Sequence, residues 1–195
     1  CKRRRKRDGG REDLLVAGRN YLDLARNPKS IQTTVRGAEQ WGCAAGGSRL
    51  ITGNLSIHEA LEAELAAFFE RPAALAFNTG YMANVGVIPA LVGPGDVLLS
   101  DELNHASIID GARLARCEVA VFRHGDIESF ADVLRETHGR AGRVLVAVDG
   151  VYSMDGDVSP IAEIVKLAHD AEQIRYLGAH GLLPASIGEI ATAYE

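Results

Sequence analysis

Long apolar runs are missing from these 195 residues. None approaches the roughly 20 residues that cross a bilayer, so no membrane span is expected. The basic start is not followed by an apolar core, so no secretory leader is expected in this stretch. Cysteine is scarce: Cys1, Cys43 and Cys117 are scattered, with no C-x-x-C pair. That spacing argues against a disulfide framework and a structural zinc site, and makes a reducing cytoplasm the expected compartment. Lysine is rarer than the charge content suggests, with only Lys2, Lys6, Lys29 and Lys166. The chain opens on Cys1, and its two methionines are Met82 and Met154. The expectation is therefore a partial or frame-disrupted chain rather than one that begins at a natural start codon.

What is present is an ordinary globular mix, 47% apolar and 24% charged, enough for one domain with a core or a piece of a larger one. The net charge of −5 is unevenly placed, because Cys1-Lys-Arg-Arg-Arg-Lys-Arg7 carries six positive charges. A basic heptamer can contact nucleic acid. Without interleaved aromatic residues for base stacking, and ahead of an acidic body, it reads as a solvated, disordered arm. No nucleic-acid partner is expected.

From Leu14 onward short apolar runs alternate with amphipathic patterns. His58–Phe69 places Leu61, Leu65, Phe68 and Phe69 on one helical face, with Glu59, Glu62 and Glu64 largely outside it. Strands are expected at 73–77, 97–99, 118–122 and 144–148, and helices at 81–91, 105–115, 127–136 and 161–168. This alternation indicates an α/β fold with a mainly parallel, buried sheet flanked by helices. Such sheets bind ligands beyond the carboxyl ends of their strands, which directs attention to the loops after Phe77, Leu99 and Val148.

The first loop is Asn78-Thr-Gly-Tyr81. Gly80 permits close backbone approach, and the following helix offers N–H groups and a positive dipole end, an anion site suited to phosphate. Thr79 can add a hydroxyl. Read alone, the same turn is an ordinary strand–helix turn with an N-capping Thr or Asn. The second, Asp101-Glu-Leu-Asn-His-Ala-Ser107, puts His105 where an imidazole can stack on a flat heteroaromatic ring or move a proton; a plain capping segment is its alternative. The third, Asp149-Gly-Val-Tyr-Ser-Met-Asp-Gly-Asp157, offers the Ser153 hydroxyl to a ligand oxygen. Its Asp155-x-Asp157 lacks the remaining ligands of a calcium loop, and no metal site is expected. All three would converge on one edge of the sheet.

At these loops, and at Ala45-Gly-Gly-Ser-Arg-Leu-Ile-Thr-Gly-Asn54 and His58-Glu-Ala-Leu-Glu62, the sequence resembles the α-oxoamine synthases over about residues 20–168. The wording of Gly46–Asn54 is most similar to the biotin-pathway branch. The resemblance implies a fold-type-I large domain and pyridoxal 5'-phosphate as cofactor. It implies condensation of an amino acid with an acyl-thioester, carried on coenzyme A or an acyl-carrier protein, with loss of carbon dioxide. It also implies a homodimer. Carried over, Thr79, Gly80 and Tyr81 would seat the cofactor phosphate, His105 would stack on the ring as the catalytic histidine, and Ser153 would lie near the phenolic oxygen. In Asn20-Tyr-Leu-Asp23, the aspartate stands where the family has glycine. After Pro160 the family runs through a helix into a strand ending Asp-x-x-His; here Leu177 precedes Ala179-His180, and no Ser-Lys motif follows.

The organisation expected is a basic arm over 1–13, an N-terminal segment over 14–55, a partial cofactor-binding domain over 56–170, and a divergent tail over 171–195. A chain lacking that lysine is expected to be inactive alone. The alternatives are a non-catalytic or regulatory partner of a full-length synthase, or a family member of different substrate choice.

Overall fold

The computed structural model describes residues 4–5, 12–13, 20, 22–137, 139–170 and 174–179, with the backbone alone at 4–5, 12–13, 170 and 174–179. The chain divides into two compact units, 1–56 and 57–195.

In the first unit a two-residue ladder pairs β1 (Arg4–Arg5) with β2 (Glu12–Asp13). The rest of the basic arm, Tyr21 and His180 lie outside the described residues. A 3-10 turn, Leu24–Arg26, leads into α1, Pro28–Trp41. No helix was expected there, although its start signal is in the sequence. Asn27 caps it by accepting from Lys29 N at 2.9 Å, and Pro28 occupies the first turn, where a missing N–H costs nothing. Beyond it, Ser48 O accepts from Gly53 N at 2.8 Å, and Arg49 grips Asn54 Oδ1 through two nitrogens at 2.9 and 2.7 Å. A Cβ on Gly53 would stand 1.9 Å from Gly47 O, so only glycine closes this turn.

The second unit is a four-stranded sheet with helices between its strands. After α2 (Ser56–Phe68) and α3 (Gly80–Leu91) come β3 (Val97–Asp101), α4 (Ala106–Ala115), β4 (Glu118–Phe122), α5 (Ile127–Thr137), β5 (Val144–Asp149), α6 (Ile161–Asp170) and β6 (Ile174–Ala179). The sheet order is β4-β3-β5-β6, parallel throughout, with Val97 opposite both Glu118 and Val144, and Val144 opposite Ile174. The α/β class and the strands and helices expected from residue 80 to 170 are all found. β6 follows α6, where the resemblance implies a strand, and lies within the tail expected over 171–195.

Successive residues of β3 and β5 feed two cores, because strand side chains alternate between faces. Leu98, Leu145 and Ala147 pack with Ile88, Ile108 and Ala112 of α3 and α4. Leu99, Val144, Val146 and Val148 pack with Phe122, Phe130, Leu134 and Ile164. Both strands are buried along their whole length, hence their apolar runs Val97–Leu99 and Val144–Val148. Burying one such leucine contributes about 1.5–3 kcal/mol.

Two expectations are corrected. Ala73–Phe77 is not a strand: its burial alternates as a strand's does, but no described strand ladders with it. Period-2 patterning fixes which side chains turn inward, whereas a strand also needs a neighbour for its N–H and C=O groups. The face of α2 is also different, since Leu61 and Phe68 are exposed and Ala66 is the residue it buries. Glu62, expected outside, is half-buried and accepts from Ala76 N at 2.8 Å. A carboxylate that satisfies a backbone donor is tolerated where an unpaired one is not.

Candidate functional site

Parallel pairing brings the ends of β3 and β5, Asp101 and Asp149, to one rim. Asn104 locks them there. Its buried amide donates to Ser100 Oγ at 2.9 Å and to Ala147 O at 2.7 Å, and accepts from Asp149 N at 3.1 Å. His105 N then donates to Asp149 Oδ2 at 2.8 Å. The turn after β3 is thus bonded to the end of β5 at three points, using groups that would otherwise be buried without partners.

His105 caps α4 and is exposed. Its Nδ1 accepts from Ser107 N at 3.2 Å and lies 2.7 Å from Ser107 Oγ. A backbone N–H can only donate, so Nδ1 is unprotonated in this arrangement and the ring proton sits on Nε2. Ser107 Oγ in turn accepts from Asn84 Nδ2 of α3 at 2.8 Å. The ring is therefore held at its Nδ1 edge, and the start of α4 is tied to the start of α3.

At α3, Thr79 Oγ1 accepts from Met82 N at 3.1 Å, the capping bond, and leaves its own O–H to donate elsewhere. The N–H groups of Gly80 and Tyr81, in the first turn, have no acceptor within the helix. They stand at the positive end of its dipole. The Tyr81 hydroxyl is turned away, donating to Asp110 Oδ2 at 2.5 Å. That bond raises the phenol's pKa and lowers the carboxyl's. Tyr81 offers the rim its backbone, not its ring hydroxyl.

Ser153 sits in the exposed turn of a hairpin that leaves β5. The hairpin is closed by Tyr152 N to Asp157 O at 2.9 Å, Gly156 N to Tyr152 O at 2.8 Å, and a bridge between Val151 and Val158. Asp157 of this hairpin reaches outward to His124 at 3.0 Å. Among the described residues no group of three or more His, Cys, Asp or Glu side chains is placed to hold a metal ion.

His124 was missed by reading the sequence. Its Nδ1 lies 3.0 and 3.1 Å from the two Asp101 oxygens, and its Nε2 lies 3.0 Å from Asp157 Oδ2. Tyr152 packs against the ring edge-on, at 4.3 Å between centroids and 77°. Burial drives the imidazole's pKa down, but the bonds to Asp157 and Asp101 outweigh it, and the value stands above the ordinary one. The Tyr152 hydroxyl is buried without a partner in hydrogen-bonding geometry. Burial first, and the charge of Asp101 second, raise its pKa far beyond the ordinary phenol value. A signal for His124 existed. Phe122-Arg-His-Gly follows a strand, and the strand-end rule that singled out three loops applies equally to this fourth one.

Gly80, His105 and the hairpin bearing Ser153 are thus linked through Asn84–Ser107 and His105–Asp149. Two helix N–H groups and a hydroxyl suit a dianionic phosphate. An edge-held, exposed imidazole suits the face of a flat ring, and a hairpin hydroxyl suits a ring oxygen.

Residues 14–176 match the aminotransferase class I and II family. The chain is 46% identical over 168 residues to 8-amino-7-oxononanoate synthase of Thermoanaerobacter pseudethanolicus, covering 86% of this chain and 42% of that protein. To the synthase of the same name from Pelobacter propionicus it is 49% identical over 164 residues, 83% of this chain and 42% of that one. Among solved structures, Sphingomonas wittichii serine palmitoyltransferase superposes with a TM-score of 0.85 at 33% identity, covering 95% of this chain and 48% of that one. A structure of SPT with PLP gives 0.82 at 33% identity, over 87% and 42%. The chain spans less than half the length of each of these. Among the described residues no helix is long and apolar enough to cross a membrane.

Proposed function

The chain belongs to the aminotransferase class I and II family, and from that premise we propose that it forms the phosphate- and ring-holding rim of a pyridoxal-phosphate-dependent acyltransferase. The reaction is condensation of an amino acid with an acyl-thioester, with loss of carbon dioxide. By its relatives' names it is of the 8-amino-7-oxononanoate synthase kind, joining alanine to a pimeloyl-thioester on the way to biotin. The acyl carrier is coenzyme A or an acyl-carrier protein, and the working assembly is a dimer. One observation carries the reading. Asn84 of α3 is bonded to Ser107, which holds the His105 ring, and His105 N is bonded to Asp149 at the end of β5, from which the Ser153 hairpin leaves.

When bound, pyridoxal phosphate supplies an electron sink for a carbanion next to nitrogen. The residues of this chain bind and orient it. Gly80 and Tyr81 would hold the phosphate through their backbone N–H groups, and Thr79 would add its hydroxyl. His105, held by Ser107, would stack on the ring, and Ser153 would donate to its phenolic oxygen. Asn104 and Asp149 hold the turn that carries His105. The sequence contains no Ser-Lys pair, and Lys166 is exposed on α6. The activity is accordingly proposed for the whole protein, and binding for these residues.

The test is equilibrium binding of pyridoxal phosphate to the 195-residue chain by ultrafiltration, with inorganic phosphate as competitor. His105→Ala is expected to weaken binding about three- to tenfold, the worth of one ring stack, and phosphate to displace the cofactor. Binding that ignores both the substitution and the competitor would refute the reading.

A further inference from the structure

The pair of bonds made by His124 restricts its protonation. Carboxylates without protons only accept, and a neutral imidazole has one N–H. To bond Asp101 through Nδ1 and Asp157 through Nε2 at once, as the distances of 3.0 Å on each side show, the ring must carry both protons. The two acids are differently placed. The Asp101 side chain is 2% exposed and is also held by Leu103 N at 2.9 Å and Gly125 N at 3.3 Å. Asp157 is 49% exposed and belongs to the hairpin that carries Ser153.

Resting on the reading above, we propose that His124, as the imidazolium, is a positioning residue that clamps the Tyr152–Asp157 hairpin to the rim, and that losing one proton releases the hairpin. The single N–H of the neutral ring stays with buried Asp101, which cannot reach water in its place. The exposed Asp157 has solvent as an alternative partner, so its bond is the one lost.

The groups facing His124 agree with this direction. From the end of β3 come Asp101 and Glu102, the latter accepting from His124 N at 2.9 Å. From beyond β5 come Tyr152, with its unpartnered buried hydroxyl, Asp157, and Asp149 beside Tyr152. On its own turn Arg123 is held by Asp126 at 2.6 Å, which leaves that cation engaged. The surroundings are net acidic and favour the doubly protonated ring. The imidazole's pKa accordingly lies above its ordinary value. The sign follows: the clamp is complete below roughly pH 6.5 and is lost as pH rises through the higher folded-state value.

The experiment is amide hydrogen exchange of the full chain, corrected for intrinsic rates, from about pH 5.5 to about pH 9, with pyridoxal phosphate affinity measured in parallel. In the unsubstituted chain, protection of 151–158 is expected to fall about tenfold across the imidazole's titration, the worth of one charged hydrogen bond. β3 and β5 keep theirs. His124→Asn leaves the hairpin unprotected at every pH. Asp157→Asn, whose amide oxygen is a weaker acceptor without a charge, flattens the pH profile. Hairpin protection that does not change with pH, or that survives in His124→Asn, overturns the clamp. So does His124→Asn if it strips β3 and β5 together with the hairpin, because the histidine would then be a general prop. Absence of pyridoxal phosphate binding at every pH would instead refute the cofactor reading, while the exchange profile still decides the clamp.

Discussion

At the scale of single residues, the rim depends on a few buried polar groups that do several things at once. Asn104 is the clearest case, with one amide satisfying three partners on two strands. Asn104→Ala is expected to cost about 2–3 kcal/mol, because it orphans buried groups rather than merely removing bonds; urea unfolding measures it. At the opposite end of the same strands, Asp96 accepts from Arg143 at 2.7 Å and from Gly93 N at 2.9 Å. Burial raises its pKa, but the bonds from Arg143 and Gly93 prevail and lower it. A lowered carboxylate contributes stability that is complete above its unfolded value, near 3.9, and is lost as pH falls through the folded one. Asp96→Asn should therefore flatten the acid limb of a plot of stability against pH, as thermal melts would record. Neither Asn104 as a cross-strand lock nor His124 as a clamp was legible in the sequence. A cap and a lock use the same residue type, and the choice depends on a carbonyl 43 residues away in the chain.

At the scale of elements, α3 and α4 meet closely through small residues. A Cβ on Gly111 would lie 2.9 Å from Asn84 O and 2.9 Å from Ile88 Cδ1. The isoleucine end can swing aside, but the backbone carbonyl cannot. Gly111→Ala should force the helices apart at about 1–3 kcal/mol. Because Asn84 also holds Ser107, the substitution should loosen His105 as well, read by the exchange rate of the Ser107 amide. From residue 80 onward, periodicity and strand-end logic identified each helix and strand between 80 and 170. They failed at Ala73–Phe77, where the residues alternate correctly but the sheet offers no neighbour, and at α1, whose Asn27-Pro28 start was overlooked.

At the scale of the molecule, the described sheet ends at β4, an edge strand that exposes Val119 by 44% and Val121 by 56%. An unpaired edge with apolar side chains favours self-association. Val119→Lys with Val121→Lys is expected to reduce association of the isolated chain, measured by light scattering across concentration. Exposed sites cost little, so the melt should stay within about 0.5 kcal/mol. Association unchanged by the two lysines would place the sticky surface elsewhere. The sequence by itself indicated the α/β class, a mainly parallel sheet and the strand-end loops that carry His105 and Ser153, because local periodicity and turn chemistry act over a few neighbouring residues. Tertiary structure alone decided which of those turns are bonded to one another, that Tyr81 turns its hydroxyl away, and that Asp101, His124 and Asp157 form one cluster. Those outcomes rest on hydrogen bonds between strand ends that lie 23 to 45 residues apart, a separation no local pattern encodes.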